Sequence, residues 1–568
     1  MSSPVYSALK IFLRQVTGNY FRNIHVTGVE NMPMEGPTIL CCNHSNQFMD
    51  GMLIIAQCPR QLSFCFAASS FNKPIVGYLA KKINVIPVYR AEDSKINGKG
   101  KIIMTSDTDI QGFKTKFISE PKKNKNFKFG VHSIIIKKKY KLIVEKIIDE
   151  EHIKVRSDQK IFEILKKEDK QSFQFIPKID NSLMFKETCQ KLKEEKAICI
   201  FPEGTSHDRT HLLKLKPGVA YIALEAMANY GIKHINIISC GFTYFSRDEF
   251  RSDVVLQFGV PFEIPESLGE AFKVNKKQAI DLVLKIVETQ IRSTILTTPT
   301  YKEYMLIKML RNLYIPSDSE ITAEISTDIA RRISHFYNYS KDTEKTKNLK
   351  VKVMEYIDIL EKLGLEDNDF KGINLKSNDK NMLMKKFLFS LILFIIGLIL
   401  AIPMIVFIPL IILVRSHAEK ERAKALEKNP NKIEAKDVVS SVKVVTFCKY
   451  LPIVAIFWVL LFYKLTNYLL ANWIYSHFPS VNLFFVGCIC FLFYGYLSIN
   501  IFDRLKYHLK TMKTLFYYFI VPKGFYYLKD MRKKLHKEVK DFVNENIKDT
   551  QYENNRIINF NKERTFSL

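Results

Sequence analysis

The chain has 568 residues, enough for a catalytic domain with additions, and 85 Lys and Arg against 58 Asp and Glu leave a formal net charge of +27. Such an excess asks for a polyanionic neighbour: nucleic acid, an anionic membrane face or a phosphorylated substrate. Nucleic acid is disfavoured, because no zinc-finger, RNP-type or basic-zipper pattern occurs and the lysines are scattered rather than gathered on one arm. The opening MSSPVYSALKIFLRQ lacks the apolar core of a signal peptide. Short β-branched-rich runs at 38–43, 62–68, 83–89, 197–202, 235–240 and 254–260 predict strands, and the patterns over 46–56 and 217–228 predict helices between them. Strands alternating with helices predict a largely parallel sheet covered on both faces. Ligands gather outside the carboxyl ends of the strands in such sheets. The ten cysteines form no CxxC or Cys/His metal spacing. Cys41, Cys42, Cys58, Cys65, Cys199 and Cys240 sit within apolar runs and read as reduced small hydrophobes on a reducing face.

Unusual polar groups fall at those strand ends. His44 follows the 38–43 run, Arg90 follows 83–89, and Glu203 with Gly204 follows 197–202. A histidine with a nearby carboxylate is the minimum equipment for taking a proton from a hydroxyl, and Asp50 lies six positions after His44. On an ideal helix the two would point about 120° apart; the strand-to-helix bend must bring them together. Gly204, Thr205 and Ser206 offer amides and hydroxyls of the kind that hold a phosphate, although the loop is not a Walker A sequence. His207 and His211 near Asp208 read as structural residues of a polar loop, and no metal is implied.

Between Arg90 and Phe185 lies a Lys-rich insertion with alternating patches such as HSIIIKKKYKLIVEKII, which predicts a small β-rich module. Residues 270–384 read as helices in which no chemistry stands out. Residues 387–414 carry no charge over 28 positions and contain Pro403 and Pro409, which suits either one long kinked span or a re-entrant hairpin. The apolar run 451–463, approached from Val444, and the 22 uncharged residues 481–502 predict two spans joined by 464–480, with Lys443, Lys449, Arg504, Lys506 and Lys510 at their ends. The basic-aromatic stretch that follows suits an anionic leaflet or, equally, an amphipathic helix packed on protein. The sequon at Asn338 has meaning only on a lumenal face.

Four blocks carry a resemblance. NHSNQFMD (43–50), INVIPVYR (83–90), FPEGTSHDRTHLLKLKPGVA (201–220) and SCGFTYFSRDEFRS (239–252) resemble, in order, the motifs of the glycerolipid acyltransferase superfamily. Within it the chain is most similar to the fungal-type glycerol-3-phosphate/dihydroxyacetone-phosphate sn-1 acyltransferases. The resemblance implies an α/β fold with a mixed sheet flanked by helices, the inserted β-rich module and a C-terminal α-helical transmembrane region. The expected division is a core at 1–90 and 181–265, the insertion at 91–180, a helical region at 266–384, a membrane region at 385–503 and a basic amphipathic tail at 504–568.

The activity implied is transfer of a fatty acyl group from acyl-CoA, a co-substrate with no other cofactor, to the sn-1 hydroxyl of glycerol 3-phosphate or dihydroxyacetone phosphate. By matching position, His44 is the general base and Asp50 its orienting carboxylate. Arg90, Glu203, Gly204, Thr205 and Ser206 hold the acceptor, and 241–245 is tied more loosely to substrate. The commonest superfamily spacing has four residues between His and Asp. Here there are five, matching the fungal-type H-x-N-Q-F-x-D, so the site geometry of the four-residue enzymes does not transfer. The expected setting is the endoplasmic reticulum membrane with the active site facing the cytosol, the bilayer as partner, no nucleic acid, and room for a homo-oligomer. Two readings compete: a 1-acylglycerol-3-phosphate or lysophospholipid acyltransferase using the same base, and a non-catalytic membrane scaffold.

Overall fold

The computed structural model describes residues 4–68, 71, 74–83, 85–89, 95–117, 127–136, 140–156, 162–163, 170–179, 181–296, 298, 300–315, 323–367, 380–428, 432–477 and 482–549. Helix α1 (Pro4–Tyr20) leads to β1 (Ile24–Thr27), β2 (Thr38–Cys42), α2 (Gln47–Gln57), β3 (Leu62–Ala67), α3 (Pro74–Lys82) and β4 (Ile86–Val88). The insertion supplies β5 (Ile96–Asn97), β6 (Lys101–Met104), β7 (Asp109–Phe113), β8 (Phe127–Ile136), β9 (Tyr140–Ile147), β10 (His152–Arg156) and β11 (Phe173–Ile179). The chain then returns through α4 (Ser182–Lys193), β12 (Ala197–Ile200), α5 (Gly218–Tyr230), β13 (Ile235–Tyr244), β14 (Val254–Phe258), β15 (Phe262–Ile264), α6 (Glu266–Val274) and α7 (Lys276–Thr294).

The main sheet has the order β1-β14-β13-β2-β12-β3-β4, with β15 paired to β13. Strands β13, β2, β12, β3 and β4 run parallel, whereas β14 is antiparallel to β13, which makes the sheet mixed. Its central strands are buried on both faces, which is why they read as unbroken apolar runs rather than as alternating ones. Along β2 the alternation sends Leu40 and Cys42 into the layer with α1 and α2, and Ile39 and Cys41 into the layer with α5 and α7. The insertion folds as a separate antiparallel sheet, β5-β11-β8-β9-β10-β7-β6. A bridge between Ile102 and Gln171 ties its edge back to the approach to β11, around a core that includes Ile134, Leu142, Ile153 and Phe175.

Next come α8 (Tyr301–Tyr314), α9 (Ala323–Ser340) and α10 (Glu344–Leu363), followed by α11 (Lys380–Leu400), α12 (Ile408–Lys428), α13 (Lys436–His477), α14 (Leu483–Ile520) and α15 (Pro522–Asp549). Four of these helices are long and apolar enough to cross a membrane. The uncharged run 387–414 divides between α11 and α12 at a 3₁₀ turn, Ile402–Phe407, that contains Pro403. Helix α11 packs against α14 and α12 against α13. Outward-facing Phe389, Ile392, Ile399, Ile412, Ile456 and Phe493 are more than half exposed, a surface suited to lipid rather than to water. The expected connection at 464–480 is different: α13 continues through His477. The stretch after the last span also differs from a free interfacial tail. Leu528, Leu535, Val539 and Phe542 of α15 are buried against α8, α9 and α10, because their i, i+3/i+4 spacing makes one apolar stripe.

Candidate active site

The site is built where β2 ends and α2 begins. The His44 Nδ1 lies 3.0 Å from Asp50 Oδ2, and the same oxygen accepts the backbone N–H groups of Ser45 and Asn46 at 2.8 Å each. Tyr244, from the end of β13, donates its hydroxyl to Asp50 Oδ1 at 2.5 Å. Four donors thus compensate one buried carboxylate, as burial of a charge requires. The turn between His44 and Asp50 contains Gln47 at φ 37°, a left-handed conformation unusual outside glycine. The His44 ring stacks on Phe201 with centroids 4.3 Å apart, and its side chain stays 19% exposed while that of Asp50 has no exposure. With Nδ1 committed to Asp50, Nε2 is the nitrogen left for a substrate.

The loop after β12 is tied to the same turn. Glu203 Oε1 accepts His44 N at 2.7 Å, while Oε2 accepts Leu213 N at 2.8 Å and meets His207 Nε2 at 2.5 Å. Both oxygens are taken by protein groups, so Glu203 holds the loop instead of offering an oxygen to a ligand. His207 N in turn donates to the His44 carbonyl at 3.1 Å. Gly204 has φ 72°, which demands glycine, and the exposed Lys216 side chain lies over it; a Cβ there would come within 2.7–2.8 Å of Cδ, Cε and Nζ. Thr205 is half-buried; Ser206 is buried, and its hydroxyl lies 3.5 Å from Lys432 Nζ. Arg90 lies outside the described residues.

Asn43 fastens the loop to β13, accepting Phe242 N at 2.8 Å and donating to its carbonyl at 3.3 Å. Gly241, one residue earlier, admits the end of α7 at a distance that a side chain would forbid: a Cβ would lie 2.3 Å from the Thr294 carbonyl oxygen. A cavity of about 380 Å³ opens beside this corner, lined by Asn43, Ser45, Arg209, Arg247, Tyr304 and Lys308 among others, but not by His44. Burial, with the neighbouring Arg311 guanidinium, holds the Lys308 ammonium below the usual lysine range.

Asp208 proves to be a cap. It accepts Ile433 N at 2.7 Å, Glu434 N at 2.6 Å and Lys436 N at 3.3 Å, at the start of α13. Burial opposes its charge, but these amides prevail and hold its carboxyl below the usual range. Reading the sequence placed Tyr244 only within the loosely assigned 241–245 and gave no role to Lys216 or to Ser440 and Ser441 of α13. The first two lie inside the quoted blocks, whereas nothing local marks the serines.

This arrangement, a part-exposed imidazole backed by a buried carboxylate at the carboxyl edge of a parallel sheet, suits proton removal from an alcohol. Residues 23–111 and 178–243 match the Acyltransferase family model, and residues 306–547 match the Glycerol-3-phosphate acyltransferase 2 C-terminal domain. The protein is an acyltransferase. The chain is 29% identical to an uncharacterized acyltransferase of Schizosaccharomyces pombe over 92% of this chain and 78% of that protein. It is 30% identical to glycerol-3-phosphate O-acyltransferase 2 of Saccharomyces cerevisiae, over 76% of this chain and 62% of the relative. With glycerol-3-phosphate O-acyltransferase 1 of the same yeast it shares 27% over 95% and 71%. Among solved structures it is similar to the 1-acyl-sn-glycerophosphate acyltransferase PlsC of Thermotoga maritima, at 13% identity and a TM-score of 0.26 over 50% of this chain and 78% of that one. These likenesses are all to acyltransferases, the yeast glycerol-3-phosphate O-acyltransferases among them.

Proposed function

We propose that the enzyme transfers a fatty acyl group from acyl-CoA to the sn-1 hydroxyl of glycerol 3-phosphate, with dihydroxyacetone phosphate as a second acceptor, at the cytosolic face of the endoplasmic reticulum. The observation that carries the reading is the His44–Asp50 contact on an imidazole whose side chain stays 19% exposed. Asp50 fixes the tautomer that leaves the Nε2 lone pair free, so His44 takes the hydroxyl proton as the oxygen attacks the thioester carbonyl. The new C–O bond forms, the C–S bond breaks, and the thiolate of CoA leaves with the proton returned from His44. No covalent acyl-enzyme is needed. Arg90 and Lys216 supply cations for the acceptor phosphate, and the Gly204–Thr205–Ser206 turn supplies donors. Glu203 serves the acceptor through that turn.

The test is turnover by the full-length His44→Ala protein, measured as CoA release with glycerol 3-phosphate. Loss of general-base catalysis predicts a fall in kcat of about 10²–10⁴-fold with the thermal unfolding midpoint unchanged. Turnover close to that of the unaltered enzyme contradicts the assignment.

A further inference from the structure

The first amides of any helix lack partners within it, and α2, which carries Asp50, begins with an unusual solution. Asn46 stands at its N-cap without capping it: Nδ2 donates to the Arg247 carbonyl at 3.0 Å and Oδ1 is buried with no partner among the described residues. A side-chain acceptor arrives from far along the chain. Ser441 Oγ of α13 accepts Met49 N at 3.1 Å, which Met49 shares with the Asn46 carbonyl, and donates to that carbonyl at 3.2 Å.

Ser440 makes a second tie. Its hydroxyl accepts Tyr20 Oη–H at 2.7 Å and donates to the Arg247 carbonyl, the acceptor that Asn46 also uses. Both serines are fully buried. The start of α13 is itself fixed, by the three amides on Asp208 and by the buried pair Lys432–Asp437. Gln47, which lies between His44 and Asp50 in the chain and follows Asn46 directly, has a backbone conformation that persists only where its surroundings hold it.

We propose that Ser441, assisted by Ser440, is a positioning residue for acyl transfer. The helix that runs into the membrane caps the helix bearing Asp50, and so sets the distance between Asp50 and His44. The C-terminal region is then part of the active site as well as an anchor. The inference rests on His44 and Asp50 acting as the base pair, and the experiment separates the two claims.

Full-length Ser441→Ala, Ser441→Thr, Ser440→Ala and His44→Ala proteins are compared in detergent micelles with acyl-CoA and glycerol 3-phosphate. A base displaced by a fraction of an ångström lowers kcat of Ser441→Ala by about tenfold or more, with both KM values within about twofold. Ser441→Thr, which keeps the hydroxyl, recovers most of that loss, and Ser440→Ala shows a smaller fall of the same kind. An unaltered kcat in folded Ser441→Ala, a loss confined to KM, or a Thr variant no better than Ala overturns the proposal. If Ser441→Ala does not fold, Ser440→Ala decides, and an unaltered kcat there is equally contrary. An inactive His44→Ala beside a fully active Ser441→Ala removes the positioning claim alone. An active His44→Ala removes the base assignment and this inference with it.

Discussion

Tyr244 shows how little slack the His44–Asp50 pair has. Its hydroxyl is the donor on the second oxygen of Asp50, and burial, then the charge of Asp50, pushes its phenol well above the ordinary range. A raised phenol keeps its proton, so the donor persists through and beyond the pH near 10 at which a free tyrosine ionises. Replacing it by Phe leaves a buried carboxylate oxygen unsatisfied. We expect Tyr244→Phe to lower kcat roughly tenfold, the equivalent of one hydrogen bond to a charged group, with little change in KM, as steady-state kinetics with glycerol 3-phosphate will report. Proximity of His44 to Asp50 was readable from a strand end and a following helix. The Tyr244 contact was half readable, since its block was visible but the antiparallel turn that delivers its hydroxyl was not. Ser441 was not readable, because a contact spanning 395 positions leaves no trace in local periodicity.

At the level of elements, the start of α13 depends on Asp208. Its carboxyl is depressed in the folded protein, so its stabilising contribution is complete above the ordinary carboxylate range and is lost as pH falls through the lower, folded-state value. The thermal midpoint of Asp208→Asn should therefore lie below that of the unaltered protein at neutral pH. The gap should close on acidification below about pH 4, and a gap independent of pH contradicts the capping role. Helices and strands were legible wherever apolar period and length agreed, as in β2 and α2. They were less so where composition alone spoke. An uncharged run such as 387–414 says that lipid suits it, while the break at Ile402–Phe407 depends on how Pro403 is accommodated. The Lys-rich face of α15 hid an apolar stripe that packs on α8, α9 and α10 rather than lying free.

Across the whole molecule, a basic chain joins an acyltransferase sheet to helices suited to a bilayer, and the joint falls at the turn that carries His44 and Asp50. Arg251 reinforces it from a second side: its guanidinium donates to Asp503 of α14 at 2.7 and 2.9 Å and to the Phe21 carbonyl at 2.8 Å. On the proposed reading, a soluble acceptor carrying a phosphate and a hydroxyl would meet the sheet edge, and the acyl chain would be supplied and received at the membrane. The identity of the acceptor therefore decides between a glycerol-3-phosphate and a lysophospholipid acyltransferase. The direct measurement is acylation by the purified full-length protein, given acyl-CoA with glycerol 3-phosphate, dihydroxyacetone phosphate or lysophosphatidate in separate reactions. Lysophosphatidate formed from glycerol 3-phosphate is the expected product; acylation of lysophosphatidate alone, or of no acceptor, rules out the proposed function.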